Sequence, residues 1–214
     1  MYTFILFEFI ALIVMLVQFG KVKSTIYKYF LPYLIFIVFF EVGNLMHWFG
    51  VTHNHRSNNL WISNIEITIE FVFFNLFLNK LLNRLKTGFM ITSLVVLVSA
   101  IDIIFIQGIW ELGTFAILLQ YCVLITMVCR FFYTTIKHID IRINILKMPS
   151  FWLNTGLLFF CLSEFLFFSS FTYMAYKNNY HYLIFFFTIN NLANVILYSC
   201  LTISFLCISK TIRL

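Results

Sequence analysis

The sequence predicts an all-α, polytopic membrane protein with seven transmembrane helices, and three observations carry that expectation. Only 10% of the 214 residues are charged while 62% are hydrophobic, against about 25% charged in an ordinary soluble domain. Seven apolar runs are each long enough, at about 20 residues, to cross a hydrocarbon core. Lys and Arg crowd the alternate connections between those runs, as the positive-inside bias demands. No stretch between runs is long enough to fold by itself, so residues 1–214 read as a single transmembrane domain.

Span one covers 3–19. Its start, MYTFILFEFI, has no basic residue ahead of the apolar run, the reverse of a cleaved signal peptide, so it is expected to stay as a true span. Glu8 falls about 8 Å below the nearer boundary at 1.5 Å per residue, where it either reaches the interface or enters a wet crevice. Span two covers 29–49, with Pro32 near its start, where a missing N–H is harmless. Glu41 and Asn44 lie further along it. The loop VTHNHRSNN follows. Its His53 and His55 read as solvated loop residues, or, with His47 and His181, as a metal site; no cofactor is otherwise implied.

Span three, 60–79, organises the functional reading. Glu66 and Glu70 are four apart in LWISNIEITIEFVFFNLFLNK and so stack on one helix face about 40° from each other. A carboxylate costs roughly 3 kcal/mol at the centre of an inserting helix, so two on one face imply a protein interior. Span four, 88–107, lines up Thr92, Ser99 and Asp102. The tight link at 107–111 makes spans four and five, the latter at 110–134, antiparallel neighbours.

The connection 137–150 is ambiguous. HIDIRINI alternates like a strand, yet Ile136, Ile139, Ile143 and Leu146 also make a helical stripe. Beside Lys137, Arg142 and Lys147 it reads as an interfacial segment on anionic headgroups, or as the docking site of a cytoplasmic or membrane protein partner. Span six, 151–175, follows Pro149 and carries Glu164. Span seven, 182–208, carries Asn190, Asn191, Asn194, Tyr198 and Thr202, the last four keeping one face. Five cysteines all fall in apolar runs with no CxxC pair, which reads as buried free thiols packing as small hydrophobes.

Twelve Lys and Arg fall on one side of this topology and two, Arg56 and Lys177, on the other. The N-terminus is therefore expected outside and the C-terminus inside. Trp48, Trp61, Trp110 and Trp152 stand at the span ends, where amphipathic rings settle. In this frame Glu41, Glu66, Glu70, Asp102 and Glu164 all lie in the outer half, about 9–15 Å deep. The expectation is an outward-open acidic cavity lined by these residues with Asn44, Asn190, Asn191, Asn194 and Tyr198. The bland alternative for the asparagines is interhelical hydrogen bonding alone. Nucleic acid is a poor partner, since no basic stripe lies on a soluble element; the bilayer is the first one.

At FWLNTGLLFFCLSEFLFF, with Trp152, Asn154 and Gly156 opening it, and at NNLANVILYSCLTISFLCI, the chain resembles small seven-span integral membrane proteins of Bacteroidota. That resemblance implies a bacterial inner (plasma) membrane and lends no catalytic residue. Similar small proteins accompany RNA-targeting defence effectors, which leaves a membrane accessory subunit as one alternative. The architecture is also similar to three-plus-one-plus-three sugar transporters, although their Pro-Gln type motif is missing. No lysine stands mid-span in span seven for a retinal Schiff base, and there is no HExxH or intramembrane Asp pair for a protease. The preferred reading is a receptor or sensor that passes a signal to a separate cytoplasmic partner. The alternative is a small-solute or proton-coupled transporter.

Overall fold

In a computed structural model that describes residues 3–53, 56–138, 144–177 and 180–211, seven helices are long and apolar enough to cross a membrane. Their α-helical parts are α1 (Thr3–Val22), α2 (Phe30–Leu45), α3 (Leu60–Leu81), α4 (Leu85–Ile101), α5 (Thr114–His138), α6 (Pro149–Lys177) and α7 (Tyr180–Thr211); a 3₁₀ turn lengthens the second span to Ile26–Leu45 and a π turn the fourth to Leu85–Ile106. The protein is an integral, multi-pass membrane protein, and the many exposed Leu, Ile and Phe side chains on these helices suit contact with lipid.

The helix ends refine the expected spans. A 3₁₀ turn at Ile26–Tyr29, capped by the Thr25 hydroxyl accepting the Tyr27 N–H at 3.2 Å, leads into α2. That helix stops at Leu45 rather than 49 because His47 takes a left-handed φ of 57° and reverses the chain. A short antiparallel hairpin, β1 (Val51–His53) and β2 (Arg56–Asn58), bridges to α3. Beyond α4, Asp102–Ile106 widens into a π turn, with the Gln107 N–H donating to the Asp102 carbonyl at 2.9 Å. The connection to α5 thus runs through residue 113, longer than the sequence suggests. The central part of the 137–150 segment, 139–143, lies outside the described residues. At its far end Asn144 caps a 3₁₀ turn, Ile145–Lys147, and the Trp152 indole N–H donates to the Leu146 carbonyl at 2.9 Å.

The chain divides into two compact units, Met1–Val38 with Val128–Leu214, and Phe39–Met127, so that α2 and α5 each contribute to both. In the first unit α7 packs against α1 and α6. The buried face of α1 is the single stripe Ile5, Glu8, Ala11, Met15 and Val22. Against α6 the backbones come close: a Cβ on Gly156 would stand 2.6 Å from Cys200 Cβ and 3.3 Å from Leu197 Cα. Small residues permit such approach where lipid supplies no hydrophobic push between helices. The Ser204 hydroxyl donates to the Pro149 carbonyl at 2.8 Å, and the Tyr27 hydroxyl is hydrogen-bonded to Ser150 and Ser204.

In the second unit α3 and α4 form an antiparallel pair. The face of α3 turned toward α4 and the start of α5 is Asn64, Thr68, Phe71, Asn75 and Asn79, which a 100° step per residue keeps within about 80°. Gly88, Thr92, Val95 and Ser99 are the matching buried positions of α4. Gly88 is again a close approach, since a Cβ there would meet Asn79 Cβ at 2.6 Å. The cysteines divide: Cys161 and Cys200 are buried, as expected, but Cys122 and Cys129 are exposed. They sit seven residues apart on one face of α5, and an apolar run does not reveal which of its faces is outward.

Leucine at Gly156 should lower the melting temperature in nanodiscs, because overpacking typically costs about 1–3 kcal/mol. Gly20→Leu, with nothing within 4 Å of the new Cβ, should leave the thermal transition followed by circular dichroism where it is.

Candidate functional site: buried acids and amides

Each expected site residue has a place in one of the two units. Glu41, Asn44, Glu66, Glu70 and Asp102 belong to the second, whereas Glu164, Asn190, Asn191, Asn194 and Tyr198 belong to the first. Among the acids Glu164 and Asp102 are each 4% exposed and Glu70 is 8% exposed, while Glu41 and Glu66 are half-buried. Glu8 is 1% exposed. Rather than reaching the interface or a wet crevice, it is buried in the interior, because it lies on the stripe by which α1 packs on α7.

In the first unit, Glu8 and Glu164 therefore come from the two helices that pack against α7. Extending the Gly156–Cys200 pairing eight residues along the antiparallel α6–α7 pair brings Glu164 level with Leu192, between Asn190 and Asn194. Those asparagines clasp each other: Asn194 Nδ2 donates to Asn190 Oδ1 at 3.1 Å and to the Asn190 carbonyl at 3.2 Å. Tyr198 is buried one turn on, and its carbonyl accepts the Thr202 hydroxyl at 2.8 Å. On α1, α6 and α7 the basic residues are confined to the ends: Lys21 is thirteen residues from Glu8, and Lys177 thirteen from Glu164. A carboxyl at such depth needs hydrogen-bond donors, a proton or a cation beside it.

In the second unit α3 carries polar residues on two opposite faces. Glu66 and Glu70 lie about 200–240° around the helix from Asn64, so they point away from the α3–α4 contact. That contact is held by amides, among them Asn75 and Asn79, which from the sequence alone read as polar residues continuing along span three. Asn75 Nδ2 donates to the Thr92 hydroxyl at 2.8 Å, and Asn79 Nδ2 donates to Asn75 Oδ1 at 3.1 Å. Gln120 of α5 reaches both helices, its Nε2 donating to Ser99 Oγ at 2.9 Å and Thr68 Oγ1 at 3.3 Å. Asn64 grips the α4–α5 connection: Nδ2 donates to the Glu111 carbonyl at 2.8 Å and Oδ1 accepts the Gly113 N–H at 2.9 Å.

Asp102 belongs to the same assembly. The first N–H groups of any helix have no partner within it. Here Gln107 Oε1 accepts the Thr114 N–H at 2.8 Å and Asp102 Oδ2 accepts the Ala116 N–H at 3.1 Å. The π turn and the residues after it thus cap α5, with an acid at the positive end of its dipole. Gln120 and Asn64 carry no charge and sit inside apolar runs; an amide in mid-span, or at the start of one, is the only signal the sequence holds for them.

His47 is exposed at the chain reversal. The side chains of His53 and His181, and all of His55, lie outside the described residues. Among the described residues no group of three or more His, Cys, Asp or Glu could hold a metal ion. No family model matches the chain, and neither a curated protein nor a solved structure matches it.

Asn64→Ala should raise amide exchange at Gly113 and Ala116 by roughly 3- to 20-fold, the equivalent of about 0.6–1.7 kcal/mol for interhelical hydrogen bonds in a bilayer. Glu66→Gln, on the opposite face of α3, should leave exchange at both sites unaltered.

Proposed function

We propose that this protein is a receptor- or sensor-like protein of a bacterial inner membrane, with its N-terminus outside. Buried carboxyls around α7 receive the stimulus, and the signal passes to a separate cytoplasmic partner. The observation that carries the reading is the burial of Glu8 and Glu164 on the two helices packed against α7, the helix that holds the Asn190–Asn194 clasp. A proton or small cation arriving there changes charge where charge is expensive, and it does so between three helices able to shift against one another. Glu41, Glu66, Glu70 and Asn44 extend the same acidic character in the second unit.

Two further features support reception over transport. Asn75 and Asn79, the polar residues that would continue a path along α3, spend their amides on Thr92 and on each other. The close α6–α7 approach at Gly156 leaves no space there for a solute. The twelve-to-two distribution of Lys and Arg supports the orientation. The partner is assigned to the 137–150 segment, whose exposed Lys137, Leu146 and Lys147, with exposed Ile136 just before it, combine apolar and basic character.

The test uses spin labels at Tyr133 and Leu206, both exposed, in a cysteine-free background reconstituted in liposomes. Lowering the external pH from about 8 to about 5 should change the label separation, and Glu8→Gln with Glu164→Gln should abolish the change. Proton flux without any change in separation would overturn reception in favour of transport. A C-terminal reporter should be active only in the cytoplasm; periplasmic activity would reverse the orientation.

A further inference from the structure

Two oxygens at the head of α5 have no hydrogen-bond donor although both are buried: Asp102 Oδ1 and Gln120 Oε1. Their residues are 4% and 1% exposed. The other polar atoms around them are committed, Asp102 Oδ2 to the Ala116 N–H and Gln120 Nε2 to Ser99 and Thr68. The Thr68 hydroxyl itself donates to the Asn64 carbonyl at 2.7 Å.

The two orphaned oxygens share one turn of the α4–α5 seam. Ala116, which Asp102 caps, is four residues before Gln120 on the same face of α5; Ser99, which Gln120 reaches, is three before Asp102 on the same face of α4. A buried acceptor left without a donor costs about 1–3 kcal/mol. Rotating the Gln120 amide would give up the Thr68 contact, because that hydroxyl already donates to the Asn64 carbonyl and has no proton left for the rotated oxygen; Ser99 Oγ alone could donate to it.

We propose that Asp102 and Gln120 share a small hydrogen-bond-donating guest, a single internal water, whose two O–H groups supply the two missing donors. Internal waters occupy polar sites that offer about two to four partners. Two acceptor oxygens, on a side where the positive end of the α5 dipole already faces the carboxyl, fit a neutral guest better than a metal cation. The α4–α5 seam is then wet at Asp102, whereas the α3–α4 contact is closed further along, where Asn79 donates to Asn75, Asn75 to Thr92 and Thr92 to the Gly88 carbonyl. The consequence is a hydrogen-bonded chain from the α5 N-terminus through Asp102, the water and Gln120 to Ser99 and Thr68. It links three helices of the second unit and is independent of the receptor reading.

The experiment is water-edited solid-state NMR on the full chain in lipid bilayers. Polarisation should pass from water to the Gln120 side-chain amide and the Ala116 N–H, and not to the side-chain amides of Asn75 and Asn79. In Gln120→Met the transfer at Ala116 should be lost while the Asn75 signal keeps its shift, which marks a folded seam. Absence of transfer at Gln120 in the unsubstituted protein would overturn the proposal, as would equal transfer at Asn75. A cross-peak from added ¹⁵N-ammonium at Gln120 would replace the water by a cation and also overturn it.

Discussion

A polar side chain inside a bilayer-spanning bundle has to find its partner on a neighbouring helix, because lipid offers none. That single requirement explains most of the polar architecture of this chain. Along the α3–α4 contact polar or glycine positions stand four residues apart at each end of the face, Asn64 with Thr68 and Asn75 with Asn79 on α3 and Gly88 with Thr92 on α4, and apolar Phe71 and Val95 fill the turns between. Asn79 lies on Gly88, Asn75 bonds Thr92, and Thr68 and Ser99 are joined by Gln120. Each such bond is worth less than about 2 kcal/mol. Their spacing matters more than their strength, since a slip of one residue would strand several amides in hydrocarbon.

The same requirement shapes the start of α5. A helix beginning inside a bundle leaves its first N–H groups without acceptors, and this one borrows them from Asn64, Gln107 and Asp102. The π turn at Asp102–Ile106 brings the chain from α4 to that end. Asp102 thereby has a structural occupation that its depth along the span does not suggest. In the other unit no comparable amide zipper runs between α6 and α7 among the described residues. Small residues let the backbones close on each other at Gly156 and Cys200, and serine and tyrosine hydroxyls close the end of the pair.

Sequence reasoning goes furthest where the physics is one-dimensional. Seven runs of apolar residues can be counted without knowing any contact, and the helices begin and end within a few residues of the expected limits. The larger departures have local causes. The reversal at His47 shortens α2, and the π turn with its capping residues displaces the start of α5. The acids are also legible, because any carboxyl in a long apolar run is conspicuous. Gln120 and Asn64 escape notice since an uncharged amide barely alters the hydropathy of its run. For Glu8, position along a helix suggests the interface or a wet crevice and misses its burial, because it says nothing about which neighbour covers the side chain.

Composition and the spacing of apolar residues by themselves determined the class of molecule and the number of helices, since both follow from the thickness of a bilayer and the rise of a helix. Only the tertiary structure decided which face of each helix is covered. It turned the Asn64–Asn79 face of α3 onto α4 and left Glu66 and Glu70 on the other, placed Glu8 and Glu164 against α7, and set Cys122 and Cys129 outward. The physical reason is that several faces of these helices are almost equally apolar. Which one is buried then depends on a few polar bonds and close glycine contacts with residues dozens of positions away.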